Sequence, residues 1–188
     1  MDLSPTAAHV IAPSSLTSLA DICTAPREKG IYAWWFRPGV LQVPTAAYVE
    51  VAGRQLLYVG IAPRKPSAAG KESASRLRNR LMTHATKDAS RSTLRLSLGV
   101  LLSRELSLSL GTHGSRVHWG PEGESRLSRW MEQHASVTWL ANDQPWVAER
   151  ELIRHVPLAL NLDERDDPFA TFLSARRREL RSAARHLA

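Results

Sequence analysis

Between residues 28 and 62 the chain alternates apolar runs with turn signals at strand spacing. EKGIYAWWF, 28–36, predicts a strand that stops at Pro38-Gly39. AAYVEV, 46–51, and LLYVGIA, 56–62, flank Gly53 and predict a hairpin. Successive strand residues point to opposite faces, so Trp34 and Trp35 separate, and one of them is expected on an exposed face. Residues 63–73, PRKPSAAGKES, have loop composition. Residues 1–27, rich in Ser, Thr, Ala and Pro, read as a loose arm with one short amphipathic stretch around Leu16, Leu19 and Ile22.

Farther along, the period changes to that of helices. In SRLRNRLMTHA, 75–85, Leu77, Leu81 and Ala85 form one apolar stripe. Arg76, Arg80 and His84 form a polar stripe beside it at the same spacing. STLRLSLGVLLSREL, 92–106, predicts a buried helix with Ser92 as N-cap, and SLSLGTHGS after it reads as a loop. ESRLSRWMEQHA, 124–135, is amphipathic, and SVTWL, 136–140, is a short strand. Asn142 or Asp143 then caps a helix with Pro145 in its first turn. The segment PLALNLDERDDP is an extended exit, and Asp167-Pro168 opens a last, arginine-rich helix. No internal repeat or linker interrupts this order, so one α/β domain is expected.

Composition narrows the class. At 188 residues the chain can bury one good core. No apolar run approaches the ~18 residues a membrane span needs. The first residues lack a basic region followed by an apolar one, so no signal peptide is expected. A single cysteine, Cys23, excludes an internal disulfide framework and a multi-cysteine zinc site, and a cytoplasmic location is expected. The net charge is +7, and 21 of the 25 basic residues are arginine, whose planar fork of donors suits phosphate. A GC-rich coding sequence gives the same excess, so charge alone leaves a nucleic-acid partner open.

The chemistry rests on a scattered polar set. Tyr32 and Tyr58 lie on the two strands, Arg80 and His84 on the helix after them, and Glu149 on a later, largely apolar helix. Asn161 follows in the exit segment. Together they supply a phosphate-binding cation, a carboxylate for a divalent metal, and hydroxyls to orient or deprotonate water. A hard cation such as Mg²⁺ often takes only one or two protein carboxylates and fills its other positions with water and phosphate. Metal and arginine neutralise charge developing at phosphorus. Each residue also has a plain structural reading: strand aromatics, a solvated helix face, a glutamate paired with Arg150 or Arg154, and a turn-forming asparagine.

The ordered set GIY (30–32), YVG (58–60), LRNRLMTH (77–84), ERELI (149–153) and Asn161 resembles the GIY-YIG endonuclease family over roughly residues 28–163. The resemblance implies a small antiparallel central sheet with helices on its faces, in a domain spanning 28–163. Residues 1–27 would be an N-terminal arm, and 164–188 a basic C-terminal helix packed on the domain. It implies that Tyr32 and Tyr58 line the site and help activate water, that Arg80 holds the scissile phosphate, and that Glu149 binds a single metal ion. His84 matches a histidine found in part of the family, and Asn161 matches an asparagine that supports the site. Glu151, two positions on, is offset from the pattern and points about 200° away on the helix. The implied activity is metal-dependent hydrolysis of DNA, RNA being open, with Mg²⁺ or substituting Mn²⁺. A weaker set, Arg76, Arg78, Lys65, Arg177 and Arg181, is expected to contact nucleic acid.

Three features depart from the family pattern. The 25 residues between Tyr32 and Tyr58 exceed the usual gap, which implies an insertion at 37–54. Ile61 stands where some repair members carry lysine after YIG, with Lys65 or Lys71 as alternatives. Residues 107–135 lengthen the stretch before the glutamate helix and are expected to set substrate preference. DERDD, 163–167, is read as capping the last helix rather than as a metal site. The alternative functions are a nucleic-acid-binding module that has lost the reaction, and a structural protein whose arginines serve solubility.

Overall fold

The apolar run Gly30–Phe36 forms strand β1, and every one of its residues is buried. That burial follows from its place inside a four-stranded antiparallel sheet with helices on both faces, as a computed structural model shows. The structure describes residues 3–66, 70, 72–163 and 166–186. The elements before and beside β1 are α1 (Pro5–Ile11), a 3₁₀ helix (Leu19–Thr24), β2 (Glu50–Val51) and β3 (Arg54–Ala62). Then come α2 (Leu77–Thr86), α3 (Thr93–Leu101), β4 (Gly111–His113), β5 (Arg116–His118) and α4 (Gly120–His134). The chain closes with β6 (Ala135–Ala141), α5 (Pro145–His155) and α6 (Pro168–His186). The sheet order is β2-β3-β1-β6, and β4 pairs with β5 separately.

Strand alternation divides the core in two. Tyr32, Trp34 and Phe36 face α2, α3, α4 and α6, while Ile31, Ala33 and Trp35 face α1 and α5. Trp34 and Trp35 therefore both lie at 0% exposure, contrary to the expectation that one would be exposed, because each face of the sheet is covered. Leu77 and Leu81 of α2 are also fully buried. Burying one such leucine stabilises the fold by about 1.5–3 kcal/mol.

A bulge in β3 lies just beyond the tyrosine pair. The register runs Tyr32↔Gly60 and Trp34↔Tyr58, then shifts so that Trp35 pairs with Leu56. Leu57, the extra residue, shares a core face with Tyr58, and the strand twists to allow it. Tyr58 pairs with Trp34 two places along from Tyr32 in unbroken register, so it lies diagonally across from Tyr32 on the same face.

Several boundaries differ from the sequence reading. The helix beginning at Ser92 ends at Leu101, not 106. Ser103 Oγ donates to the Val100 carbonyl, and the following turn carries Ser107 at a positive φ of 48°. The loop read at 107–115 contains strand β4, which turns through Gly114 (φ 58°) into β5. Strands of three residues are too short to show alternation. Helix α4 begins at Gly120, with Pro121 in its first turn, rather than at 124. Helix α1 was not anticipated; Ser4 caps it, and Glu151 accepts from Ser4 N at 2.7 Å and from its hydroxyl at 2.5 Å.

Gln144, not Asn142 or Asp143, is the N-cap of α5; Asn142 Oδ1 accepts from Gln144 N at 2.8 Å. Asp167 Oδ1 caps α6 by accepting from the Phe169 and Ala170 amides. Glu164, Arg165 and Lys71 lie outside the described residues. No helix among the described residues is long and apolar enough to cross a membrane.

Candidate active site

Helix α2 carries Arg80 and His84 on the turn that meets the tyrosine face of the sheet. His84 is fully buried, so the polar stripe predicted for this helix turns into the core at its C-terminal end. Its Nε2 lies 2.7 Å from the Tyr32 hydroxyl, and its Nδ1 lies 2.7 Å from Ser92 Oγ. The ring also packs within 5.9 Å, centroid to centroid, of Tyr58. Burial, then the charges of Arg80 and Arg95, hold its pKa well below the ordinary histidine value. The imidazole is therefore neutral at neutral pH, with one nitrogen available as an acceptor.

The two tyrosine rings stand 6.4 Å apart. Burial, followed by the neighbouring Tyr58, raises the Tyr32 pKa well above the ordinary value, against the opposing pull of Arg80. Burial raises Tyr58 as well. Both are neutral phenols at rest. Burial alone would lower the Arg80 pKa, but the two phenols beside the guanidinium leave it raised. Arg80 also donates from Nη1 to the Arg91 carbonyl at 3.0 Å, which fixes its approach. Gly60 makes room for the arrangement: a Cβ there would stand 2.5 Å from the Tyr32 oxygen.

Tyr32, Tyr58, Arg80, Glu149, Arg64 and Lys65 all line one cavity of about 410 Å³. Glu149 reaches it from α5 together with Trp146, Arg150 and Ile153, residues spaced as one face of a helix. A second cavity of about 230 Å³ shares Tyr58, Thr93, Glu149 and Asp163 and continues the groove to Asn161 and Arg177. Thr93 was not singled out in the sequence, and Asp163, read there within DERDD as part of a cap rather than a metal site, lines both cavities. Thr93 follows the capping serine and interacts with the Tyr58 hydroxyl, and Asp163 opens the acidic run read as a cap.

The remaining residues have distinct places. Asn161 lines the second cavity, with its amide on β3: Val59 N donates to Oδ1 at 2.9 Å, and Nδ2 donates to the Val59 carbonyl at 2.8 Å. This side chain completes an edge that β2 leaves unpaired. His84 lies behind Tyr32 and lines neither cavity. Arg78 donates to the Ala25 carbonyl at 2.6 Å, and Arg76 meets Ser73, Ser75 and Glu72. Neither lines the groove, and neither does Arg181. Ile61 lies in the cavity wall.

The donor set fits a hard cation. Two carboxylates, Glu149 and Asp163, face an open groove beside Arg80. No group of three or more His, Cys, Asp or Glu side chains gathers here or elsewhere among the described residues. One or two carboxylates are the usual protein share of a Mg²⁺ site that also takes phosphate and water.

A family model described as the GIY-YIG catalytic domain matches residues 30–183. No curated protein and no solved structure matches the chain.

Proposed function

The chain belongs to the GIY-YIG catalytic-domain family, and from that premise we propose that it is a metal-dependent endonuclease that hydrolyses DNA phosphodiester bonds. The convergence of Tyr32, Tyr58, Arg80 and Glu149, from four separate elements, on one cavity carries this reading. Nucleases of this family generally depend on a divalent metal and act on nucleic acid. We take the nucleic acid to be DNA and the metal to be Mg²⁺, with Mn²⁺ as a substitute.

In the proposed mechanism a phosphate enters against Arg80, whose guanidinium offsets the charge that builds on the phosphoryl oxygens. Water attacks phosphorus in line as the opposite bond to a sugar oxygen breaks; the departing alkoxide is protonated by solvent water, with no covalent enzyme intermediate. Tyr32 accepts its proton. Because Tyr32 is a neutral phenol at rest, its own proton must leave as the new one arrives. His84 Nε2 is within hydrogen-bond distance to take it. This needs the tautomer with its proton on Nδ1, donating to Ser92 Oγ. Tyr58, held between Arg80 and Thr93, orients the water or the phosphate. Glu149, with Asp163 beside it, would hold the metal, which when bound supplies further positive charge at the phosphate. Asn161 supports the groove by fixing the exit segment to β3. His84 and Asn161 are thus positioning residues in this scheme.

The insertions at 37–54 and 107–135, and the division into arm, domain and C-terminal helix, belong to the same proposal. With Cys23 as its one cysteine, we place the protein in the cytoplasm. The test is cleavage of labelled single-stranded, duplex and branched DNA, with RNA beside them, in Mg²⁺, Mn²⁺ or EDTA. Cutting in either metal and none in EDTA is expected. Folded protein that binds these strands without cutting any would favour the binding-module alternative.

A further inference from the structure

The basic C-terminal helix α6 does not treat its arginines alike. Arg176 pairs with Glu179 at 2.7 Å, and Arg178 is exposed. Arg177 instead lines the 230 Å³ cavity with Tyr58, Thr93, Glu149, Asn161 and Asp163. Its Nε is buried with no hydrogen-bond partner among the described residues. A buried donor without a partner costs about 1–3 kcal/mol, more for a charged group. Burial and then Arg181, one turn on, work against its charge, and the attraction of Asp163 and Tyr58 in the same cavity offsets them only in part. An anion arriving in the groove would relieve both.

We propose that Arg177, backed by Arg181, is a second phosphate seat at the Asn161 end of the groove, so that the substrate is a strand carrying a further phosphate beyond the one held at Arg80. This deepens the nuclease reading and rests on it. Arg80 and Arg177 stand at different places along one groove, with Tyr58, Thr93 and Glu149 lining the region they share. A strand following it would set one phosphodiester at the tyrosines and a neighbouring one at Arg177. Monoesters and isolated dinucleotides would fill only the first place.

The test is binding of a labelled single strand to the Glu149→Gln protein in EDTA, across a range of salt. Arg177→Ala in this background should weaken binding about tenfold or more, as for loss of a charge-assisted contact. It should also reduce the salt slope by about 0.7, the share of one single-strand phosphate. Arg177→Lys should keep the slope, and Arg178→Ala should change neither quantity; thermal melts establish that each variant is folded. A second readout uses single-turnover cleavage by the otherwise wild-type protein. Replacing one phosphate beside the cleaved bond by a neutral methylphosphonate should slow the wild type, with little further slowing in Arg177→Ala. Binding and slope equal to the parent in Arg177→Ala, or the same loss in Arg178→Ala, overturns the seat. Absence of cleavage by the wild type sinks the nuclease reading alone, whereas absence of any binding by the parent removes both.

Discussion

Two arginines on neighbouring helices meet opposite environments. Arg95 of α3 is fully buried, and the protein surrounds it with acceptors. Its Nε and Nη2 both reach Glu124 Oε2, at 3.0 and 2.7 Å. Its Nη1 donates to the Ala85 carbonyl and Ser128, and its Nη2 to the Glu124 carbonyl. Glu124 in turn accepts from the Ala89 and Trp119 amides. This network locks α2, α3 and α4 together. Arg80 takes one backbone carbonyl and lies against two phenols, with the cavity in front of it. The difference teaches that residue type and helix spacing do not make an arginine a phosphate binder. What matters is whether the protein has already supplied its acceptors. His84 joins the two regions, touching Tyr32 on one side and Ser92 on the other, and both arginines oppose its protonation.

Substitutions can break this contrast, and the largest effect belongs to the interior arginine. Arg95→Ala strands the partly buried Glu124 carboxylate and should cost about 3–5 kcal/mol of stability, read from the guanidinium denaturation midpoint. An unchanged midpoint would mean that the network is not structural. Arg80→Ala should slow cleavage by about 10²–10³, equivalent to about 2.7–4 kcal/mol in the barrier. Its stability should move by no more than about 1 kcal/mol. Equal destabilisation by the two variants would erase the distinction.

The third effect is on pH. Folded His84 binds its proton less readily than the unfolded chain does, so the unfolded state holds more protons below its pKa of about 6.5. The contribution to stability is complete above that value and is lost as pH falls, with a slope approaching about 1.4 kcal/mol per pH unit. Denaturation midpoints between pH 5 and 8 should show this slope in the wild type and a flatter profile in His84→Gln. Matching profiles would place the titration elsewhere. Smallest is Ser92→Ala, which removes the cap of α3 and the Nδ1 partner of His84 and should cost about 1 kcal/mol.

The legible parts of the molecule were those that repeat locally. Strand runs with Tyr beside Gly, the stripe of Leu77 and Leu81, and the ordered motifs located β1, β3, α2 and α5 within a residue or two. Tyr32, Tyr58, Arg80 and Glu149, proposed for the site from the same motif order, line one cavity. What could not be read depends on contacts between segments far apart in sequence. The Arg95–Glu124 pair spans 29 residues and carries no periodic signal. Thr93 and Asp163 gain significance only by lining the cavities beside Tyr58 and Glu149, which segments far apart in sequence build together. His84 looked like part of a solvated stripe because helix spacing gives a direction, while the sheet packed in that direction decides burial. Helix α1 was missed because it buries only Ala7 and Val10, and a single long-range contact to Glu151 anchors its cap.

The most direct test separates binding from cutting at Glu149. Wild type and Glu149→Gln would each be given the labelled DNA that the wild type cuts best. Affinity would be measured in EDTA, and single-turnover cleavage in Mg²⁺. The groove described here predicts that the variant binds with affinity close to the wild type and does not cut. Cleavage by Glu149→Gln at the wild-type rate would contradict the account, because the carboxylate facing Arg80 and the two tyrosines would then have no part in the chemistry.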